Sequence, residues 1–262
     1  MINIVDRKGA NYMLRGLLVF VGILPLLLLS CATTSSVDNM QQASVHLKLG
    51  LAYLDENNVQ LAYVEFQKVL EFNPRDKEAL NAIGVIYSER FKQYDDAIRS
   101  FKKALEIDPD YSDAYHNLGV TYANLKEWDK AIDAFKSALK NKFYKTPERS
   151  FNNLGFAYYE KGDYLKAIDS FKDAIRRSSG FPLPYYGIGL SYLKLDKTGE
   201  AIENLKKAIT LDPNYIDARW ELAMTLIKSD KEKAITEFKE IVKLSPDSEK
   251  GKEAKRYIQL LQ

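Results

Sequence analysis

Cys31, His46 and His116 are the cysteine and histidine complement of this 262-residue chain, and they are the first places to look for chemistry. A catalytic dyad or a metal centre needs two or more such groups converging on one proton or one ion. Here the histidines stand far apart in sequence and no second cysteine joins them. Gly-rich phosphate loops, His-Glu-x-x-His and Gly-x-Ser-x-Gly are all missing from the sequence. Carboxylates are plentiful, but they recur beside proline, as in Glu106-Ile107-Asp108-Pro109 and Asp212-Pro213-Asn214, where an aspartate serves a helix end. The sequence therefore predicts no catalytic residue, no metal site and no cofactor, and a protein that is not an enzyme.

The elements that carry these residues are legible from a repeat. Gly50, Gly84, Gly119, Gly155 and Gly189 follow one another at intervals of 34, 35, 36 and 34 residues, and Ala223 stands 34 residues further on. Three residues after each marker comes Tyr53, Tyr87, Tyr122, Tyr158, Tyr192 or Leu226. Later in each unit stands Ala62, Ala97, Ala131, Ala167, Ala201 or Ala234, and four residues beyond it Phe66, Phe101, Phe135, Phe171, Leu205 or Phe238. Pro74, Pro109, Pro213 and Pro246 close four of the units. This pattern resembles the tetratricopeptide repeat family, whose units run Leu-Gly-x-x-Tyr, then Ala-x-x-x-Phe, then Pro. The resemblance implies an all-α superhelix of six helix-turn-helix units at about 43–76, 77–111, 112–145, 148–181, 182–215 and 216–248.

A physical reading supports the same architecture. Glycine in mid-helix costs about 1 kcal/mol against alanine, so five at matching positions require a packing reason. A glycine on the first helix and an alanine on the second let the pair approach closely, with Tyr and Phe filling the space between neighbouring units. Phe143 and Ser179 replace the closing proline in units three and four, and Thr146-Pro147 lengthens the link between them, which would allow a bend into two halves of three units. Ala254, Tyr257, Ile258 and Leu261 form a helical stripe among Lys250, Lys252, Lys255 and Arg256, which predicts a capping helix over 249–262.

Residues 1–30 follow a different logic. Arg15 precedes an apolar run from Leu17 to Leu29, too short for a span of about 20 residues, and the run ends in Leu28-Leu29-Ser30-Cys31. That tetrad resembles the bacterial lipoprotein signal. The resemblance implies a signal peptide over 1–30, with Met13 an alternative start, and acyl chains such as palmitate on Cys31. Ala32 after the cysteine implies sorting to the outer membrane, facing the periplasm. Residues 31–42 would be the lipidated cysteine and a polar tether. Removing Arg7, Lys8, Arg15 and Asp6 from the 38 basic and 36 acidic residues leaves 35 of each, which gives no sign of a nucleic-acid partner.

Binding then falls to the first helices, which line the concave side in the tetratricopeptide family. With each marker glycine as position 8, the groove positions are Leu47, Leu51 and Leu54 in unit one and Asn81 and Val85 in unit two. They continue as His116, Asn117 and Val120, then Asn152, Asn153, Phe156 and Tyr159. Tyr186, Leu190 and Leu193, then Trp220, Met224 and Ile227, complete the series. The Lys and Arg clamp that holds C-terminal carboxylates in some family members is missing at those positions. Amides flanked by apolar side chains suit an extended or helical peptide segment of a protein partner. Six repeats behind a lipid anchor resemble the type IV pilus biogenesis lipoproteins, or pilotins, which implies help to a secretin subunit in outer-membrane assembly. The alternative is a periplasmic adaptor that docks peptidoglycan or envelope-assembly enzymes.

Overall fold

The computed structural model describes residues 37–262; Cys31, the expected signal peptide and the first part of the expected tether lie outside them. Thirteen α-helices make up the described residues, and they pair as the repeat requires. Unit one comprises α1 (37–55) and α2 (Val59–Phe72). Units two and three comprise α3 (Lys77–Ile86) with α4 (Tyr94–Ile107), and α5 (Ser112–Asn124) with α6 (Trp128–Ala138). Then follow α7 (Pro147–Glu160) with α8 (Tyr164–Arg177), and α9 (Pro182–Lys194) with α10 (Thr198–Leu211). The last pair is α11 (Ile216–Leu226) and α12 (Lys231–Leu244), against which α13 (Glu249–Leu261) is laid. Part of the stretch expected to be a polar tether is thus helical, because α1 runs back at least to Val37.

The glycine and the phenylalanine of a unit turn out to be partners. A Cβ built on Gly50, Gly84, Gly119 or Gly155 would stand 2.5 to 2.6 Å from the ring of Phe66, Phe101, Phe135 or Phe171 in the same unit. These rings are completely buried, as are Ala62, Ala97, Ala131 and Ala167 one turn before them. The phenylalanine therefore fills the contact within its own pair first, and the space between units second. Phe171 does both, because Gly187 of the next unit closes on it from the other side.

The turn between paired helices is left-handed at one residue. Asn57, Lys126 and Asp196 have φ of 58°, 59° and 57°, and the corresponding Gly162 has 85°. Unit two departs from this, since Gly84 and Ala97 are separated by one residue more than their counterparts in units one, three, four and five. The extra residue is absorbed by a π-helical turn, Tyr87–Phe91, and the left-handed position moves on to Lys92. Phe91 packs edge-on to Tyr63 and Tyr87, whose hydroxyls share a 2.7 Å hydrogen bond.

The aspartates beside proline do serve helix ends. Asp108 Oδ1 accepts from the Asp110 amide at 3.0 Å, and Asp212 does the same for Asn214. Asp108 also receives Lys77 Nζ, from the start of its own unit, at 2.6 Å, which holds its carboxyl below the usual range. Across the link between units three and four the apolar core is continuous. It runs from Ala131 and Phe135 through Leu154 and Phe171 to Ile188, so no gap separates two halves there. At the C-terminal end Tyr257 of α13 stacks on Phe238 at 5.1 Å, closing the solenoid with a helix whose outer face is charged.

Candidate functional site

Helical geometry repeats the same two rows on successive first helices, because residues three and four apart share a face. Three before each marker stand Leu47, Asn81, His116, Asn152, Tyr186 and Trp220. One after it stand Leu51, Val85, Val120, Phe156, Leu190 and Met224. How deep each of these lies depends on its neighbours.

In the middle of the array the rows open into two recesses that share Val120 as a wall. One, of about 200 Å³, is lined by Val85, Glu89, Asp113, His116, Asn117 and Arg149, among others. The second, of about 310 Å³, is apolar, with Val120, Trp128, Phe135 and Phe156 as walls and Asn153 and Glu160 at its polar edge. Of the groove positions read from the sequence, Val85, His116, Asn117, Val120, Asn153 and Phe156 line these two recesses.

The polar recess is held by hydrogen bonds between units. Asn117 Nδ2 donates to Asn81 Oδ1 at 3.0 Å. His116 Nδ1 lies 2.7 Å from Ser150 Oγ, which in turn donates to the Tyr144 hydroxyl at 3.3 Å. Burial, with Arg149 adding to it, pushes the His116 imidazole down to about 4, so it is neutral at neutral pH and unsuited to general acid–base work. Desolvation pushes the Asp113 carboxyl up. Glu89, Asp113 and Arg149 were absent from the sequence expectation, although Asp113 and Arg149 both occupy position 2 of the first helix, where the pattern could have found them. The Arg149 cation is accompanied by two carboxylates, so the recess offers no cationic clamp for a carboxylate terminus.

Several expected groove residues are placed elsewhere. Asn152 is 1% exposed and donates from Nδ2 to Asn153 Oδ1 at 3.2 Å, while its own Oδ1 has no partner in the protein. Leu47 and Leu54 pack on the core of unit one beside Ala62 and Phe66, which leaves Leu51, 48% exposed, as the open one of these three groove leucines. Trp220 meets Phe238 and Tyr257 edge-on at 5.6 and 5.8 Å, so it belongs to the contact with α13. Met224, Leu193 and Ile227 join that same C-terminal cluster. Tyr186 rests on Tyr215 at 5.1 Å, Tyr159 on Tyr164 at 5.5 Å, and Leu190 is half-buried. The paired helix, the next unit or the capping helix closes over these positions, and periodicity specifies a face but no depth.

Two carboxylates, Glu65 buried and Glu237 half-buried, mark the ends of the array. Glu65 lies 2.6 Å from His46 Nδ1 and 2.7 Å from Lys68 Nζ, and hydrogen bonding to Lys68, then His46, holds its carboxyl below the usual range against desolvation. Glu237, at the same position of unit six, pairs with Arg219, the counterpart of His46. These are structural pairs. Among the described residues no group of three His, Cys, Asp or Glu is placed to hold a metal ion, and no helix is long and apolar enough to cross a membrane.

Comparison with known proteins agrees with this geometry. Family models described as tetratricopeptide or TPR repeat match residues 43–76, 92–126, 112–142, 148–180, 182–215 and 217–248, together well over half of the chain. The type IV pilus assembly protein PilF of Pseudomonas aeruginosa is 24% identical over 183 residues, which are 70% of this chain and 59% of that protein. The solved structure described as the functional characterization of Pseudomonas aeruginosa PilF has a TM-score of 0.73 at 20% identity, covering 84% of this chain and 99% of that one. That of PilW, described as a widely conserved type IV pilus biogenesis factor, has a TM-score of 0.73 at 21% identity, covering 80% and 97%. A probable peptide N-acetylglucosaminyltransferase of Hordeum vulgare, SPINDLY, is 33% identical over 144 residues, but this chain spans only 15% of its length. Family matches coincide with the fold and the repeat markers in units one, three, four, five and six, and a further match at 92–126 bridges units two and three; the chain belongs to the tetratricopeptide repeat family, as an interaction scaffold similar to the type IV pilus biogenesis factors PilF and PilW.

Proposed function

We propose that this chain is a lipid-anchored scaffold of the outer membrane, facing the periplasm, that serves type IV pilus biogenesis by holding an apolar segment of a secretin subunit during assembly. The observation that carries this reading is the pair of recesses on either side of Val120, one apolar and one edged by Asn117, in a solenoid whose fold matches nearly the whole of the solved PilF and PilW structures. An apolar side chain of the segment enters the recess walled by Trp128 and Phe156. The Asn117 and Asn153 amides meet its backbone, since a primary amide both donates and accepts. Leu51 extends the same face toward the anchor at Cys31, whose place after Leu28-Leu29-Ser30 supports lipidation.

The test is co-purification of the secretin subunit with the tagged lipoprotein, compared with its Val120→Gln variant. A central anchor residue is worth about 2 kcal/mol or more, so recovery should fall at least about tenfold. Helicity and melting should change little, because Val120 is half-buried. Undiminished secretin recovery with Val120→Gln would reject these recesses as the binding site.

A further inference from the structure

We propose that the N-terminal end of the solenoid is a lipid-facing surface, which holds α1 and the open edge of unit one against the bilayer interface to which Cys31 tethers the chain. The inference rests on the lipidation of Cys31 read above and adds an orientation to it.

Three features of unit one set it apart from its five successors. First, α1 is helical at least from Val37, while α3, α5, α7, α9 and α11 begin seven or eight residues before their markers. The overhang carries Val37 and Met40, which are 65% and 61% exposed. Second, Val45 and Leu49 stand where later units have Ala79 and Ile83, Ala114 and Leu118, or Ala218 and Leu222, all buried under the preceding unit. With no unit before them, Val45 and Leu49 are 54% and 39% exposed.

The third feature is a change of chemistry. Leu61 and Val64 of α2 are exposed, yet their counterparts are Asp96 and Arg99, Lys130 and Asp133, or Lys166 and Asp169. A solenoid end that faces water carries a polar outer face, as α13 does with Lys252, Lys255 and Arg256. The other end replaces charges with apolar side chains, so something apolar covers it.

The chain itself identifies that cover. Val37 lies six residues after Cys31, which bounds their distance at about 20 Å however the link is folded. An acyl chain on Cys31 therefore keeps this edge within reach of the interface, where an apolar face sinks about 5–10 Å into the boundary between headgroups and acyl chains. A second copy stacked head to tail finds no matching surface, because α13 already covers α12 through Phe238 and Tyr257.

The experiment uses the full lipidated protein purified from membranes. Cys31 is the only cysteine, and acylation blocks its thiol, so a single introduced cysteine can be labelled with an environment-sensitive maleimide dye. Met40→Cys, Leu49→Cys and Val64→Cys probe the edge; Glu106→Cys and Lys252→Cys are exposed controls elsewhere. In phosphatidylethanolamine–phosphatidylglycerol vesicles containing spin-labelled lipid, the three edge probes should be quenched several-fold more than the two controls. Equal quenching at all five sites overturns the proposal while leaving the anchor intact. Dye shielding in detergent that grows with protein concentration, and does not change in vesicles, assigns the edge to a second copy and overturns it too. Labelling of the parent protein would show a free Cys31 thiol and would overturn the anchoring reading together with this one.

Discussion

Gly119 offers the sharpest test of the packing argument. Replacement by alanine gains about 1 kcal/mol of intrinsic helix propensity if nothing else changes. The structure opposes that gain, because the new Cβ would lie 2.6 and 2.7 Å from Phe135 Cε1 and Cδ1, about 1 Å inside normal contact. Phe135 is completely buried, so its ring has no solvent to retreat into, and overpacking of this kind costs about 1–3 kcal/mol. Gly119→Ala should therefore be destabilising by roughly 1 kcal/mol net, and Gly119→Leu by several kcal/mol. Unit six, which pairs Ala223 with Phe238, shows that the smaller intrusion can be accommodated when the neighbouring contacts are rebuilt. The assay is urea unfolding followed by far-ultraviolet circular dichroism, with Lys103→Ala as an exposed control. Phe135→Leu should ease the clash in part, since in unit five a Cβ on Gly189 would stand 2.8 Å from Leu205, against 2.6 Å from Phe135 here. The Gly119→Ala/Phe135→Leu pair should then couple favourably by about 0.5 kcal/mol or more. A Gly119→Ala protein that is more stable than the wild type, with strictly additive effects in the double variant, would refute the pairing of these two residues.

Two further outcomes follow from local geometry. His116 is a base whose folded pKa is lowered to about 4, so the unfolded chain takes up its proton first. Its contribution is complete above the unfolded value of about 6.5 and is lost as pH falls from there toward 4, by an amount on the order of 3 kcal/mol. His116→Asn, which copies Asn81 and Asn152 of the flanking units, should flatten the urea midpoint against pH over that window; an unchanged slope would contradict the burial argument. Lys126 holds a left-handed φ of 59°, where Gly162 stands in unit four. Lys126→Val should cost about 1–2 kcal/mol and Lys126→Gly little or nothing, in the same unfolding assay, and equal effects would remove the left-handed turn as a determinant.

The sequence alone determined the repeat, because stacking identical pairs demands the same small residue opposite the same ring every 34 to 36 residues. Gly119 with Phe135, and Ala131 at the crossing, are legible at that level, since only small side chains admit so close an approach. The extra residue of unit two was legible as a count, but its resolution as a π-helical turn that presents Phe91 to Tyr63 was not. The helix could also have lost the residue into its loop. The groove was legible as a stripe and no further. Asn152 and Asn153 are consecutive in sequence, yet one is sealed in the interior and the other edges the apolar recess. Trp220 carries the groove register but is taken by Tyr257 of α13. Periodicity fixes the direction in which a side chain leaves its helix. How closely the next helix approaches is set by long-range packing, and this decides whether that side chain meets a neighbour, as Trp220 does, or an open recess, as Val120 does.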